Sequence, residues 1–156
     1  SRDWVKSVVR RLGVRRVDGG KGIELLAGVA APESLVVTEQ GLRFLVRPRE
    51  GQKTGLFLDQ RAWRQRVRDL VTDQKVLNLF SYSGGFSVYA AAAGAKSVCS
   101  VDFSAGALED ARENFRLNGL WYCTFHKNSK ARSRILCRLW LLKKKPKISL
   151  KIFKFS

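Results

Sequence analysis

The sequence has few of the residues that build metal sites and disulfide frameworks. Its 156 residues contain one histidine, His126, and three cysteines, Cys99, Cys123 and Cys137, none of them in a CxxC pair. This spacing matches neither a zinc site nor a disulfide-rich secreted domain. We therefore predict that the protein binds no metal and resides in a reducing intracellular compartment, the cytoplasm or an organelle.

Long apolar runs are also missing. No run approaches the roughly 18 residues that a membrane span needs, and the chain does not open with a signal peptide. We predict no membrane partner, and the oligomeric state stays open. Because residue 1 is serine and not methionine, we expect the natural start of the protein to lie upstream.

Acidic residues are absent from the last part of the chain. Residues 121–156 hold 11 of the 30 Lys and Arg and none of the 13 Asp and Glu, so residues 1–120 carry 19 basic and 13 acidic side chains. The net charge of +17 favours an acidic partner, with nucleic acid ahead of a membrane surface.

A strand, a turn, a helix and a second strand follow one another in the middle of the chain. The apolar run Val76–Phe80 precedes Gly84 and Gly85, and after an alanine-rich segment the run Ser97–Val101 ends at Asp102. The glycines permit a sharp turn and a close approach of a ligand to the next helix. Asp102 lies 18 residues beyond Gly84, near the interval that places a carboxylate against ribose hydroxyls. The pattern predicts a site for a nucleotide-like cofactor.

Two alternatives use the same elements. A nicotinamide-binding domain needs the fingerprint G-x-G-x-x-G, which the turn from Ser81 to Phe86 does not contain, and Ser83 and Phe86 stand where small residues would cradle a pyrophosphate. An adenosyl ligand without phosphates fits this turn better. The other alternative is a unit without a ligand, in which the glycines serve the turn and Asp102 caps a helix.

Two motifs together resemble one family. The first, GQKTGLFLDQR, spans Gly51–Arg61, and the second, VLNLFSYSGGFSVYA, spans Val76–Ala90. In this order and at this spacing they resemble the class I S-adenosylmethionine-dependent RNA methyltransferases of the bacterial 23S ribosomal RNA cytosine-5 methyltransferase I family. The similarity covers residues 33–120 and then stops. It implies S-adenosyl-L-methionine as the cofactor and RNA as the partner, with a cytosine of large-subunit ribosomal RNA as the substrate.

The resemblance implies an α/β fold with a partial Rossmann-like methyltransferase sheet preceded by a small β-hairpin segment. We predict an N-terminal helix and β-rich segment over residues 1–58, the first part of the cofactor-binding domain over residues 59–120, and a basic tail of open origin over residues 121–156. Apolar spacing predicts a helix over residues 4–12, and alternation predicts the hairpin from Leu35 to Val46.

The first motif is predicted to lead from a strand into a helix. Leu56–Leu58 reads as the strand, and Asp59 as the residue whose carboxylate caps the helix. The helix is expected to turn four apolar side chains toward the core, namely Trp63, Val67, Leu70 and Val71.

The predicted cofactor site lies between the two motifs. By resemblance the stretch around Phe57 closes the site near the methionine part of the ligand, Asn78 hydrogen-bonds its amino group, and Phe103 stacks on the adenine. Arg61 as a plain surface charge and Phe80 as packing beneath the turn are the alternatives. The full set of predicted cofactor-binding residues is Phe57, Gln60, Arg61, Asn78, Phe80, Ser81, Gly84, Gly85, Asp102, Phe103 and Ser104.

Residues 121–156 depart from the family pattern. The family continues with a third strand, an acidic residue, a fourth strand ending in Asp-Pro-Pro and a later nucleophilic cysteine, and none of these is recognisable in this part of the sequence. Cytosine C5 methylation needs a thiolate that attacks C6 of the base, whereas Cys99 reads as core packing in a strand. We therefore predict no catalytic residue, an inactive and incomplete chain, and unpaired strand edges.

Three origins are open for this basic part. We favour out-of-frame or intron-derived translation joined after Leu120, because 36 residues without a carboxylate are unusual in a globular protein. A true appendage that binds RNA and a membrane-bound basic helix over Ile135–Leu142 are the alternatives. The rival function is therefore a non-catalytic basic RNA-binding protein, and a nicotinamide oxidoreductase ranks third.

Overall fold

The computed structural model describes residues 5–11, 23–49, 55–121, 123–126 and 150–154. Within these ranges lie eight strands and three α-helices. The chain divides into two units, one comprising residues 1–36 and 45–56 and the other comprising residues 37–44 and 57–156. The predicted boundaries at residues 58 and 120 stay predictions.

The first unit contains a two-stranded antiparallel ribbon. Strand β1 (Ser7–Arg11) pairs with β2 (Ile23–Gly28), and the register shifts between Val8 and Val9. The predicted helix is therefore wrong for residues 7–11. Adjacent β-branched valines suit an extended ladder, and the periodicity of residues 4–12 alone cannot reveal the partner strand whose hydrogen bonds stabilise it.

The predicted hairpin is confirmed. Strands β3 (Leu35–Glu39) and β4 (Leu42–Val46) pair with each other. The two turn residues, Gln40 and Gly41, have φ angles of 51° and 80°, as expected for a tight two-residue hairpin turn. The tip of the hairpin, residues 37–44, belongs to the second unit.

The first motif folds differently from its prediction. Residues 56 and 57 lie outside any strand, and Leu58–Gln60 forms a 3-10 turn that leads into α1 (Arg61–Arg68). The N-cap of α1 is Gln60 and its side chain makes no capping bond, so Asp59 is not the cap residue. The 3-10 turn before α1 supplies backbone carbonyls that accept from the amides of Gln60 and Arg61. Backbone acceptors thus take the place of a capping side chain at this helix start.

Helix α1 buries an arginine in place of a tryptophan. Val67 and Val71 are buried as predicted, whereas Trp63 and Leu70 are more than half exposed and Arg64 is 1% exposed. Apolar spacing therefore predicts the wrong buried face for the first turn of this helix, by about one residue. The reason is that a guanidinium whose hydrogen bonds are all satisfied can be buried in a core.

The predicted strand–helix–strand–helix unit is present in the second unit. It consists of β5 (Lys75–Leu79), α2 (Gly85–Ala92), β6 (Ser97–Asp102) and α3 (Ala105–Leu117). Strands β5 and β6 are parallel, and α2 crosses over between them. Val88, Tyr89 and Ala90 of α2 are completely buried.

Two further strands complete the described sheet. β7 (Cys123–His126) pairs in parallel with β6, and β8 (Leu150–Lys154) pairs in parallel with β5, so the order is β7-β6-β5-β8. The prediction that residues 121–156 contribute no third strand is wrong, and the outer edges of β5 and β6 are paired. Strands of four and five residues within basic sequence give little periodic signal. The partial Rossmann-like sheet with its preceding hairpin is confirmed.

Candidate cofactor site

The turn after β5 has an unusual backbone. Phe80 and Tyr82 have φ angles of 57° and 49°, and Gly84 has 75°. Bulky residues rarely adopt this left-handed conformation, which costs about 1–3 kcal/mol for each residue and is concentrated at functional sites. Between them the amide of Ser81 donates to the carbonyl of Val101 at 3.1 Å, which fixes the turn to β6. No sequence pattern signals this strain.

Asp102 connects the turn to the start of α3. Its Oδ2 accepts a hydrogen bond from the Tyr82 amide at 2.8 Å, and its Oδ1 accepts one from the Ser104 amide at 2.9 Å. An ionised carboxylate has about four acceptor positions, so capacity remains for two hydroxyl donors. The carboxylate thus lies at the carboxyl end of β6 with both oxygens oriented by backbone amides.

Ser81 carries a buried hydroxyl that finds no hydrogen-bond partner in the described part of the chain. The residue is 6% exposed, and its Oγ forms no hydrogen bond within the described part of the chain. An unpaired buried hydroxyl costs about 1–3 kcal/mol, and native structures rarely tolerate it without a reason. Its position in the strained turn fits an atom that bonds a ligand.

Two exposed phenylalanines lie at the ends of adjacent strands. Phe80 follows β5 and Phe103 follows β6, and their ring centroids are 6.1 Å apart at an interplanar angle of 32°. Their exposed fractions are 52% and 54%. Phe80 therefore does not simply fill space beneath the turn. The two rings form an apolar surface beside Asp102 that a flat heterocycle can contact.

The glycines and a buried asparagine attach the turn to the helices. A Cβ at Gly84 would lie 2.9 Å from the Cβ of Ala111, so the glycine allows α3 to pack directly on the turn. Gly85 begins α2. Asn114 is completely buried and its Nδ2 donates to the carbonyl of Ser83 at 2.8 Å. Gly84 thus allows close packing of α3, a role that was not predicted from the sequence.

Ser104 caps the helix that follows β6. It is the N-cap of α3, and its Oγ accepts a hydrogen bond from the Ala107 amide at 3.2 Å. Its own amide donates to Asp102. The start of α3 is therefore fixed at the same carboxylate that holds the turn.

Asn78 lies in the sheet and apart from the turn surface. Its side chain is buried, and Nδ2 donates to Ser87 Oγ at 2.9 Å. Ser87 Oγ in turn lies 2.6 Å from Ser100 Oγ, so three strand and helix positions share one buried hydrogen-bond network. A cofactor role for Asn78 stays a prediction.

Phe57 of the first motif contacts the turn. Its ring meets that of Tyr82 edge to face, with centroids 5.4 Å apart and an interplanar angle of 81°. Gln60 is half-buried at the end of the 3-10 turn, and Arg61 is exposed at the start of α1. The cofactor roles of these three residues stay predictions.

Sequence reasoning missed a buried ion pair next to this segment. Nε and Nη2 of Arg64 donate to the two carboxylate oxygens of Glu39, both at 2.8 Å, and Nη1 donates to the carbonyl of Phe57 at 2.9 Å. The Tyr89 hydroxyl donates to Glu39 Oε1 at 3.0 Å. Burial, followed by the hydrogen bond to Glu39 and its charge, raises the pKa of Tyr89 to about 12.

The same cluster includes aromatic faces. The Arg64 guanidinium carbon lies 5.9 Å from the Tyr89 ring centroid and 6.0 Å from that of Phe86, and Phe44 stacks on Tyr89 at 6.1 Å. The arginine has lost its water but has gained hydrogen bonds and π contacts. The available signal was weak: the helix RAWRQRVR has too few apolar residues for a buried face.

Residues 2–134 match the family model of the S-adenosylmethionine-dependent methyltransferases. The chain belongs to this family. The resemblance inferred from the two motifs is confirmed, and the match to the family model extends beyond residues 33–120 at both ends.

Two curated relatives of this methyltransferase chain are bacterial. A ribosomal RNA large subunit methyltransferase of Deinococcus radiodurans is 54% identical over 95 residues, which are 61% of this chain and 23% of that protein. Ribosomal RNA large subunit methyltransferase I of Aeromonas salmonicida is 46% identical over 110 residues, 70% of this chain and 28% of that protein. The chain thus spans about a quarter of the length of these relatives.

Solved structures named as SAM-dependent methyltransferases have a similar fold. A SAM-dependent methyltransferase from Agrobacterium tumefaciens superposes with a TM-score of 0.68 and 28% identity, covering 88% of this chain and 45% of that one. Among the described residues of the methyltransferase chain, no three His, Cys, Asp or Glu side chains gather as a metal site. The described helices include none that is long and apolar enough to cross a membrane.

Proposed function

We propose that the chain binds S-adenosyl-L-methionine at the carboxyl ends of β5 and β6. The observation that carries this proposal is one juxtaposition at two adjacent strand ends: the Asp102 carboxylate, the Ser81 hydroxyl, which has no hydrogen-bond partner among the described residues, and the exposed rings of Phe80 and Phe103. In parallel α/β sheets this edge is the usual place for a ligand. The residues present fit the adenosyl group.

Each residue has a distinct role in the proposed complex. Asp102 accepts hydrogen bonds from the ribose hydroxyls with its free acceptor positions, and Phe103 contacts the adenine. Ser81 Oγ satisfies its hydrogen-bonding capacity on the ligand. Phe57, Gln60 and Arg61 close the methionine end. The cofactor supplies a methyl group on a positively charged sulfur.

The proposed substrate is large-subunit ribosomal RNA, at C5 of a cytosine. Two relatives that share about half of their aligned residues with this chain carry ribosomal RNA large subunit methyltransferase as their names, and the net charge of +17 suits a polyanion. The cytosine-5 assignment rests on the resemblance of the two motifs alone.

We further propose that residues 1–156 do not transfer the methyl group unaided. In C5 methylation a thiolate adds to C6, C5 takes the methyl group, and loss of the C5 proton then expels the thiolate. Cys99 lies in the middle of β6, opposite Leu77 of β5, and not at the strand ends. Radiolabelled methyl groups appearing in ribosomal RNA incubated with this chain would contradict the proposal.

Calorimetric titration with S-adenosylmethionine tests the cofactor site. We expect the native chain to bind and Asp102→Ala to weaken binding by at least about tenfold, because charge-assisted hydrogen bonds to the ribose are lost. Asp69→Ala is the matched control, since Asp69 is exposed beyond the end of α1. A folded native chain that does not bind, or equal affinities of both variants, would sink the proposal.

A further inference from the structure

We propose that Arg64 and Glu39 are positioning residues for the cofactor site, which act through Phe57 on the turn residue Tyr82. The inference rests on the proposed function, because it assigns a role in cofactor binding to residues that do not touch the cofactor. It concerns residues of the second unit only.

The first step is the completeness of the buried pair. Arg64 is 1% and Glu39 8% exposed, and the guanidinium makes two hydrogen bonds to the carboxylate. Tyr89 adds a third hydrogen bond to the same carboxylate. Removing one member of such a pair leaves a buried charge uncompensated, so the geometry is held firmly. The pair is a rigid point between the hairpin tip, α1 and α2.

The second step is a hydrogen bond from Arg64 to the main chain, which is separate from its ion pair with Glu39. Arg64 Nη1 donates to the main-chain carbonyl of Phe57 at 2.9 Å. Phe57 is the residue immediately before the 3-10 turn. The planar fork of arginine therefore serves the carboxylate with one side and fixes the backbone at Phe57 with the other, which a lysine ammonium cannot do.

The third step leads from Phe57 to the turn. The Phe57 ring packs edge to face on Tyr82, whose φ angle is 49°. On the other side the Tyr82 amide donates to Asp102. A backbone in this strained region persists only where several contacts determine it. Tyr82 is thus held between Phe57 and the ribose-binding carboxylate, directly beside Ser81.

The test compares two arginine-to-lysine variants of the full chain. Arg64→Lys keeps the charge but loses the fork, and Arg66→Lys makes the same change at an exposed position of the same helix. We expect Arg64→Lys to weaken binding of S-adenosylhomocysteine about tenfold, measured by calorimetry at a temperature at which both variants are folded. Arg66→Lys is expected to bind like the native chain.

A spectroscopic readout separates positioning from loss of stability. In ¹H–¹⁵N spectra without ligand, Arg64→Lys should shift the Tyr82 amide resonance, while the Ser104 amide, bonded to the other oxygen of Asp102, stays in place. If Arg64→Lys does not fold, Glu39→Gln is the second variant. It retains the side-chain volume but removes the charge that Arg64 and Tyr89 contact, and the same shift of the Tyr82 amide is expected.

The outcomes are distinct. Native-like affinity for S-adenosylhomocysteine, or an unmoved Tyr82 resonance, overturns the positioning role when it is seen in Arg64→Lys, or in Glu39→Gln where the first variant does not fold. If the native chain itself does not bind S-adenosylhomocysteine, the proposed function fails, and the positioning role fails with it. If Asp102→Ala abolishes binding and both pair variants retain it, only the positioning role fails.

Discussion

Single side chains at the ends of β5 and β6 have more than one structural role. Asp102 orients the turn and the start of α3 with two hydrogen bonds, so its substitution alters the backbone at both places. Gly84 combines a left-handed conformation with close packing against Ala111. The N-cap role of Ser104 was predictable because serine directly before a helical pattern is a preferred cap, whereas the predicted ribose contact of Asp102 stays a prediction. The positive φ angles of Phe80 and Tyr82 and the burial of Arg64 were not predictable, since both depend on tertiary contacts.

The residue-scale prediction concerns Tyr89. Its pKa is raised from 10.0 to about 12, first by burial and then by Glu39. The folded state holds this proton more tightly than the unfolded state, so the contribution to stability is complete below pH 10 and declines as the pH rises to about 12. In an absorbance titration at the phenolate band, one tyrosine should ionise only near pH 12, and Tyr89→Phe should lose this late step. A late step that persists in Tyr89→Phe would contradict the assignment.

Elements with strong local patterns formed as predicted, and elements that depend on distant partners did not. β5, α2, β6 and α3 combine apolar runs, glycines and an N-cap serine, so local and global preferences agree. Residues 7–11 form a strand because β2 pairs with them through backbone hydrogen bonds. β7 and β8 form because they pair with the outer edges of β6 and β5. A single sequence shows neither partner.

The element-scale prediction concerns the packing of α3 on the turn. Gly84→Ala has two unfavourable effects: it places a side chain at a φ of 75°, and its Cβ would lie 2.9 Å from the Cβ of Ala111. Gly94→Ala meets a similar φ of 81° with no atom within 4 Å, so it isolates the backbone cost, about 1–2 kcal/mol. We expect Gly84→Ala to lower the free energy of unfolding by about 1–3 kcal/mol more than Gly94→Ala, measured by urea denaturation. Equal losses would mean that α3 moves aside freely.

On the scale of the whole molecule, the sheet links the basic last part of the chain to the cofactor-binding part. β7 and β8 lie within residues 121–156 and flank β6 and β5. A deletion of these residues therefore removes two strands together with 11 positive charges. Loss of RNA binding after such a deletion would not distinguish a basic RNA-binding tail from a collapsed sheet.

The prediction at this scale separates charge from structure. Replacing Lys143, Lys144 and Lys145 by glutamine removes three charges and leaves the sequences of β7 and β8 intact. If RNA binding is carried by the basic part, affinity should fall and the slope of log affinity against log salt should become shallower by about 2–3, while S-adenosylmethionine affinity stays unchanged. The same substitution at Arg10, Arg43 and Arg66 is the charge-matched control. An unchanged slope in the lysine variant would exclude the RNA-binding tail.

The register of β8 also has a consequence for folding kinetics. Lys75 of β5 pairs with Ser97 of β6, 22 residues later, but with Leu150 of β8, 75 residues later. Loop closure favours the nearer partner, and high contact order slows the more distant pairing. The sheet should therefore assemble from β5 and β6 outward, with β8 docking last. In pulsed hydrogen exchange, amides between β5 and β6 should gain protection before those between β5 and β8, and the reverse order would exclude this pathway.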